Sequence, residues 1–314
     1  MNGTKKFAAV FPGQGSQSVG MMNAYGDAEI IKSTFDEAGE ILKFDLWQMV
    51  SNGSVDELSQ TINTQPLLLT AAVAVWRLWK QLGGNIQNIG VVAGHSLGEY
   101  SAMVAAEMLD FADAVLLVRK RGEIMQEFAK GGAMAAILGL DNSAIIQNCQ
   151  NISANGKVVE AVNFNANGQV VIAGTADAVD EAMAECKKSG AKICKKLAVS
   201  GPFHSSLMQP AAEKFKEFLN SVTLKSPKIP LINNVDVETI SAENFDAAKI
   251  KDALYRQIFK PVRWVEIMQK VAALNINEIL EFAPGKVLAG LAKRCDSSLK
   301  GISLGDAESL KNYL

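Results

Sequence analysis

The sequence predicts an α/β protein, and three observations carry that reading. Short apolar runs of strand length alternate with amphipathic helical stretches along most of the 314 residues. A strand-turn-helix junction spans residues 89–108, with Gly94-His95-Ser96-Leu97-Gly98 at its turn. Between Gly131-Gly132 and Gly201-Pro202 the order is strand, helix, strand, strand, helix, strand, a ferredoxin-like pattern. A large α/β part built from residues 1–130 and 200–314 is therefore expected, with a ferredoxin-like insert over 131–199.

Composition narrows the function. With 48% hydrophobic residues the chain has ample material for a core, and its net charge of −2 offers no basic surplus to neutralise a nucleic acid. A run of five apolar residues, 7–11, precedes Pro12, too short for a signal-peptide core, and no later run reaches membrane-spanning length. A cytoplasmic, monomeric protein is expected. The four cysteines, Cys149, Cys186, Cys194 and Cys295, form no C-x-x-C pair, and with two histidines and no H-E-x-x-H no metal is expected either.

Residues 5–11 read as a first buried strand running into the loop Pro12-Gly13-Gln14-Gly15-Ser16-Gln17. Ser18 stands where a dinucleotide fingerprint needs its third glycine, so a Rossmann cofactor site is not indicated. Gly13 and Gly15 would instead let the backbone approach an anion or a developing oxyanion closely. Residues 27–42 are amphipathic, and 66–82 read as a long apolar helix opened by Pro66 and closed by Gly83-Gly84. Over 112–128, Leu117, Arg121, Ile124, Met125 and Phe128 share one helical face. Arg121 thus interrupts an apolar stripe, while Arg119 lies with Glu123 and Gln126 on the face expected to be solvated. A buried guanidinium needs a partner, since breaking a buried pair costs about 3–5 kcal/mol. That partner is either an internal carboxylate or the carboxylate of a substrate.

In the insert, strands are expected at 133–138, 158–164, 170–173 and 193–199, with helices at 143–150 and 177–188. Lys187, Lys188, Lys192, Lys195 and Lys196 cluster on its last helix and strand. They form either a solvated face or a landing place for an acidic partner. Beyond it follow a helix at 211–220, a strand at 229–233, helices at 247–258 and 262–273, a strand at 278–282 and a closing helix after Pro284-Gly285.

The junction at 89–108 carries the chemistry. A G-x-S-x-G turn between strand and helix holds its serine in strained geometry at the positive end of the helix, a nucleophile's position. A glycine-rich corner with a bystander serine would show the same letters. A serine hydroxyl needs a base, most often histidine. His95 precedes Ser96 where successive side chains point to opposite sides, which leaves His204 in Ser200-Gly201-Pro202-Phe203-His204-Ser205. Acidic residues are too numerous for a third triad member to be chosen.

In order along nearly the whole chain, FPGQGSQ, GHSLGEYSA, VRKRGEIMQ, NFNANGQVVIAG, VSGPFHSSLM, LYRQIFKPVRW and FAPGKVLAGL resemble the malonyl-CoA:acyl carrier protein transacylases of bacterial fatty-acid synthesis. The resemblance implies an α/β-hydrolase-like large subdomain and ping-pong transfer of malonyl from CoA, through Ser96, to the phosphopantetheine thiol of acyl carrier protein, with no bound cofactor. It implies His204 as base, Arg121 as clamp for the malonyl carboxylate, and the backbone N–H groups of Gln14 and Leu97 as oxyanion hole. It further implies that the Gln257 carbonyl orients His204 and that Asn165 lines the cleft. Leu97 and Phe203 resemble the malonyl-selective pattern. Phe282-Ala283 departs from the pair usual before Pro284-Gly285 and touches only a loop.

Two other classes stay open. A serine esterase or thioesterase would share the turn, although Arg121 on an apolar face and the missing HGGG-type segment weigh against it. A catalytically silent carrier-binding subunit would not need Ser96, His204 and Arg121 together.

Overall fold

The computed structural model describes residues 6–199 and 201–314; the expected strand start Lys5 and boundary residue Ser200 lie outside the described residues. The chain opens with β1 (Phe7–Phe11), α1 (Glu29–Leu42), α2 (Leu46–Asn52), α3 (Val55–Ser59), α4 (Thr61–Gln81), β2 (Ile89–Gly94), α5 (Gly98–Ala105) and α6 (Phe111–Glu127). Then come β3 (Gly132–Leu138), α7 (Asn142–Ser153), β4 (Val159–Ala166), β5 (Gln169–Thr175), α8 (Ala176–Lys188) and β6 (Ile193–Lys196). It closes with α9 (Gln209–Ser221), β7 (Leu231–Ile232), β8 (Thr239–Ile240), α10 (Ala247–Gln257), α11 (Trp264–Ala273), β9 (Glu278–Glu281), α12 (Val287–Cys295), β10 (Lys300–Ser303) and α13 (Ala307–Lys311).

Six strands form one sheet in the order β10-β9-β1-β2-β7-β8, parallel except for β8 at the edge. Residues of β1 alternate between two cores: Ala9 and Phe11 pack with α1, α4, α5 and α6, Ala8 and Val10 with α11 and α12. Both faces are covered, as a parallel sheet requires. The register sets Phe11 opposite Gly94, so the loops after β1 and β2 leave the sheet side by side. Ile232 of β7 lies opposite Ala93, which brings Asn233-Asn234 out at the same edge. Sites of open α/β sheets gather at these carboxyl ends.

Strands β3 to β6 make a second, antiparallel sheet in the order β4-β5-β3-β6. Helices α7 and α8 cover one face through Ile145, Cys149, Val179 and Cys186, while Met134, Val162, Val171 and Ala173 join the large core on the other. Backbone bonds from Phe164 N–H to Val262 O (3.0 Å) and from Val262 N–H to Val162 O (2.9 Å) tie this sheet to the segment before α11. All four cysteines are free thiols. Among the described residues no helix is long and apolar enough to cross a membrane.

Two expectations need correction, and one bond explains both. Helix α4 begins at Thr61, so Pro66 lies inside it instead of opening it. Proline cannot donate to the carbonyl of Ile62. Arg119 Nη1 donates to that carbonyl instead, at 3.2 Å, and also to Asn63 Oδ1 at 3.0 Å. Arg119 is therefore not simply solvated: its side chain is 24% exposed and clamps α6 to the start of α4. The strands expected at 193–199 and 229–233 are shorter, ending at Lys196 and spanning only Leu231–Ile232. The short elements α2, α3, β8, β10 and α13 have no counterpart in the sequence reading.

Candidate active site

The turn between β2 and α5 closes only because two glycines flank it. A Cβ on Gly94 would stand 1.9 Å from the Gly98 backbone, and one on Gly98 2.0 Å from Phe11 O. Ser96 itself sits at φ 53°, the left-handed region that costs a non-glycine residue on the order of 1–3 kcal/mol. Asn234 fastens it there. The Ser96 N–H donates to Asn234 Oδ1 at 2.7 Å, and Asn234 Nδ2 donates to Gly94 O at 2.7 Å.

His204, also left-handed at φ 66°, brings its Nδ1 within 2.7 Å of the Gln257 backbone oxygen. A carbonyl only accepts, so Nδ1 carries the proton and Nε2 is left as acceptor, 2.8 Å from Ser96 Oγ. Burial, followed by the charge of Arg121, pushes the His204 pKa down to about 3. The imidazole is thus a neutral base at neutral pH.

Arg121 enters from the buried face of α6 and is 1% exposed. Its Nη1 donates to Gln65 Oε1 (2.9 Å), and its Nη2 to Gln257 Oε1 (2.9 Å) and Ser96 Oγ (3.2 Å). The Tyr100 ring lies 5.5 Å from its Cζ, and Nε has no hydrogen-bond partner among the described residues. None of these contacts is anionic. The internal carboxylate allowed by the sequence is absent from them. Glu99 lies one step away: its Oε2 accepts from Gln257 Nε2 at 2.6 Å and from the Asn234 N–H at 3.2 Å.

A cavity of about 90 Å³ opens over Ser96. Gln14, His95, Leu97, Arg121, Phe203 and His204 line it together with Met134, Asn163, Leu197 and Val199. Its size admits a handful of water-sized groups, the scale of a short acyl chain. The backbone N–H groups of Gln14 and Leu97 have no partner among the described residues. A larger hollow lined by Asp236, Glu238, Asp246 and Arg256 holds no nucleophile beside a base.

The profile of the acyl transferase domain family matches residues 9–303. The chain belongs to this family. It is 48% identical over 312 residues to the malonyl CoA-acyl carrier protein transacylase of Salmonella typhimurium, covering 98% of this chain and 99% of that one. The transacylase of Bacillus subtilis is 44% identical over 309 residues, covering 98% and 95%. Among solved structures, an acyl carrier protein S-malonyltransferase from Vibrio cholerae superposes with TM-score 0.92 at 48% identity, covering 99% of this chain and 100% of that one. A malonyl-transacylase in complex with its holo type II polyketide acyl-carrier protein gives 0.94 at 44% identity, covering 99% of each.

In this acyl transferase Ser96, His204, Arg121, Gln14, Leu97 and Phe203 meet at one cavity, and Gln257 stands behind it. Asn165 does not line the cavity: its Oδ1 is 2.8 Å from His95 Nε2, and Asn163 faces the cavity in its place. The register of β4 shifts on both sides of Asn163 and Phe164, and such irregularities re-aim side chains. His95 is held away from Ser96 by Asn165 and by Trp264, whose ring centroid is 5.6 Å away.

All five lysines of the cluster are exposed. Lys187 donates to the carbonyls of Ala191 and Lys192, Lys188 pairs with Glu185 at 2.7 Å and Lys196 with Asp180 at 2.7 Å. Lys192 and Lys195 have no such partner among the described residues. Glu99, Asn234 and Gln65 were missed by sequence reasoning. Glu99 left a signal, a carboxylate three residues after Ser96 on an otherwise buried helix. Asn234 left a weaker one, the second of two asparagines closing an apolar run.

Proposed function

We propose that the chain transfers malonyl from malonyl-CoA to the phosphopantetheine thiol of acyl carrier protein through malonyl-Ser96. One observation carries the reading: a buried arginine without an anionic partner among the described residues donates to a serine that is already bonded to a neutral histidine. Such a site suits an acyl group ending in a carboxylate, which a planar guanidinium holds in bidentate fashion.

In the first half-reaction His204 Nε2 takes the Ser96 proton while Oγ bonds to the thioester carbonyl carbon. The carbonyl oxygen becomes an oxyanion facing the N–H groups of Gln14 and Leu97. The C–S bond breaks, the CoA sulfur leaves with the proton from His204, and malonyl remains as a serine ester. In the second, His204 takes the thiol proton of the carrier's phosphopantetheine, the sulfur attacks the ester carbonyl, and Ser96 recovers the proton as its C–O bond breaks. The Gln257 carbonyl keeps Nδ1 protonated throughout, so Nε2 always faces the nucleophile. Arg121 holds the free carboxylate of malonyl, and Leu97 and Phe203 bound the acyl group.

We read residues 1–130 and 200–314 as an α/β-hydrolase-like catalytic subdomain and 131–199 as a ferredoxin-like insert. The strand order β4-β5-β3-β6 with both helices on one face supports the latter. Exposed lysines of the insert, Lys192 and Lys195 foremost, offer charge to an acidic carrier protein. The reading places the enzyme in the cytoplasm and requires no metal or bound cofactor. The esterase alternative is not favoured, since the relatives matched over nearly the whole chain are transacylases. Steady-state kinetics with malonyl-CoA and holo carrier protein test it: parallel double-reciprocal lines and malonyl-carrier product are expected. Free malonate formed faster than malonyl-carrier would favour the esterase.

A further inference from the structure

We propose that Glu99 is a positioning residue of the transfer reaction, which supplies through Gln257 the anchor and negative charge that a triad carboxylate would supply to the histidine by direct contact. The inference rests on the reading of Ser96 as nucleophile and His204 as base.

Gln257 is tied at four points. Its Nε2 donates to Glu99 Oε2 (2.6 Å) and to Ser96 O (3.1 Å), its Oε1 accepts from Arg121 Nη2 (2.9 Å), and its backbone oxygen accepts from His204 Nδ1 (2.7 Å). Only one orientation of the side-chain amide fits these neighbours. Flipped, it would set its NH₂ against the guanidinium and its oxygen against the carboxylate. Glu99 thereby fixes the residue whose carbonyl fixes the histidine. The same Oε2 also accepts from the Asn234 N–H, and Asn234 holds Ser96 N and Gly94 O. One carboxylate oxygen joins the arm that carries the nucleophile to the arm that carries the base.

Charge points the same way. When His204 takes a proton it becomes a second cation beside Arg121, in a site where charges are weakly screened. The described residues include two buried carboxyls, Glu99 and Glu281. Glu281 accepts from the Ala289 N–H at the start of α12, so Glu99 is the one in this cluster. The charged and titratable groups facing it are Arg121 from α6, Asp236 from beyond β7, Tyr100 on its own helix and, across Gln257, His204. Burial pushes its carboxyl up to about 7, against the bonds from Gln257 and Asn234 and the Arg121 charge.

The test is the pH profile of kcat/KM for Ser96 acylation by malonyl-pantetheine, which lacks the phosphates of CoA, over about pH 5 to 9, in wild type and Glu99→Gln. Wild type should lose activity as Glu99 protonates below about 7, levelling off about 10- to 100-fold below its rate at pH 8, a limb that His204, neutral down to about 3, cannot produce. Glu99→Gln should be flat there, at a plateau about 10- to 100-fold below wild type at pH 8 with an unchanged melting temperature. Glu99→Asp, which keeps the charge, should keep the limb. A Glu99→Gln enzyme with wild-type rate and profile overturns the proposal, as does a wild type without a limb near 7 should the variant not fold. Failure of the wild type to form any malonyl-enzyme would overturn the functional reading, and with it this inference.

Discussion

Replacing Arg121 by methionine removes the charge while filling much of its volume. The guanidinium is buried against two amide oxygens, a hydroxyl and an aromatic ring, with no anionic contact among the described residues. A malonyl carboxylate would make at least one charge-assisted bond to it, worth roughly 1.5–3 kcal/mol, and a bidentate pair about twice that. The variant should therefore lose about 10² to 10⁴ in kcat/KM for malonyl-CoA. Acetyl-CoA, which carries no carboxylate, should lose far less. Stability should respond far less than it would to a broken ion pair. Removing a buried cation relieves a desolvation cost of several kcal/mol, which offsets the lost bonds to neutral acceptors. The melting temperature should stay within a few degrees of wild type, at roughly 2–4 °C per kcal/mol for a chain of this size. Arg121→Lys should recover only part of the selectivity, being a point charge where a fork is wanted. Parallel kcat/KM measurements on both thioesters beside thermal melts decide the matter: equal losses on both with a large fall in melting temperature would refute the clamp.

Two other perturbations bear on the site. His204→Ala should lower acyl transfer by about 10² to 10⁴. It should also change how stability depends on pH. Folded His204 stays neutral down to about 3, whereas the unfolded residue protonates near its ordinary 6.5, so the unfolded chain binds the extra proton and wild-type stability falls on acidification below 6.5. The stability difference between wild type and variant in urea unfolding should shift by ~1.4 kcal/mol per pH unit there. A difference constant between pH 6.5 and about 5 would contradict a buried neutral base. Reversing Lys192 and Lys195 to glutamate should raise KM for acyl carrier protein about two- to tenfold, the scale of exposed charge pairs, and leave KM for malonyl-CoA unchanged. An unmoved carrier KM would leave the cluster a solvated face.

What could be read from the sequence was local. The strand-turn-helix around Ser96 announces itself because glycine spacing and hydrophobic period change at one point, and the structure shows why each glycine is needed. Arg121 was legible because a charge on an apolar stripe is conspicuous, and His204 because only two histidines exist. Illegible features depend on contacts distant in sequence. Pro66 looks like a helix start until Arg119, 53 residues later in the sequence, is seen to bond the carbonyl that it orphans. Asn163, and not Asn165, lines the cavity from a strand whose register shifts on either side of Asn163 and Phe164, which no alternation rule foresees. The group behind His204 could not be found by searching for an acid because it is a backbone carbonyl, and peptide oxygens carry no side-chain signature. Glu99 stood in view three residues after Ser96, yet its place behind Gln257 appears only when α5 and α10 are brought together.

In the proposed reaction Ser96 carries malonyl between two thiols. Intact-mass measurement after mixing with malonyl-CoA, followed by peptide mapping and then by addition of holo carrier protein, tests it most directly. Wild type should gain one malonyl group on the peptide containing Ser96 and lose it to the carrier, and Ser96→Ala should gain none. Malonyl found on Cys149, Cys186, Cys194 or Cys295, or full labelling of Ser96→Ala, would rule out Ser96 as the carrier.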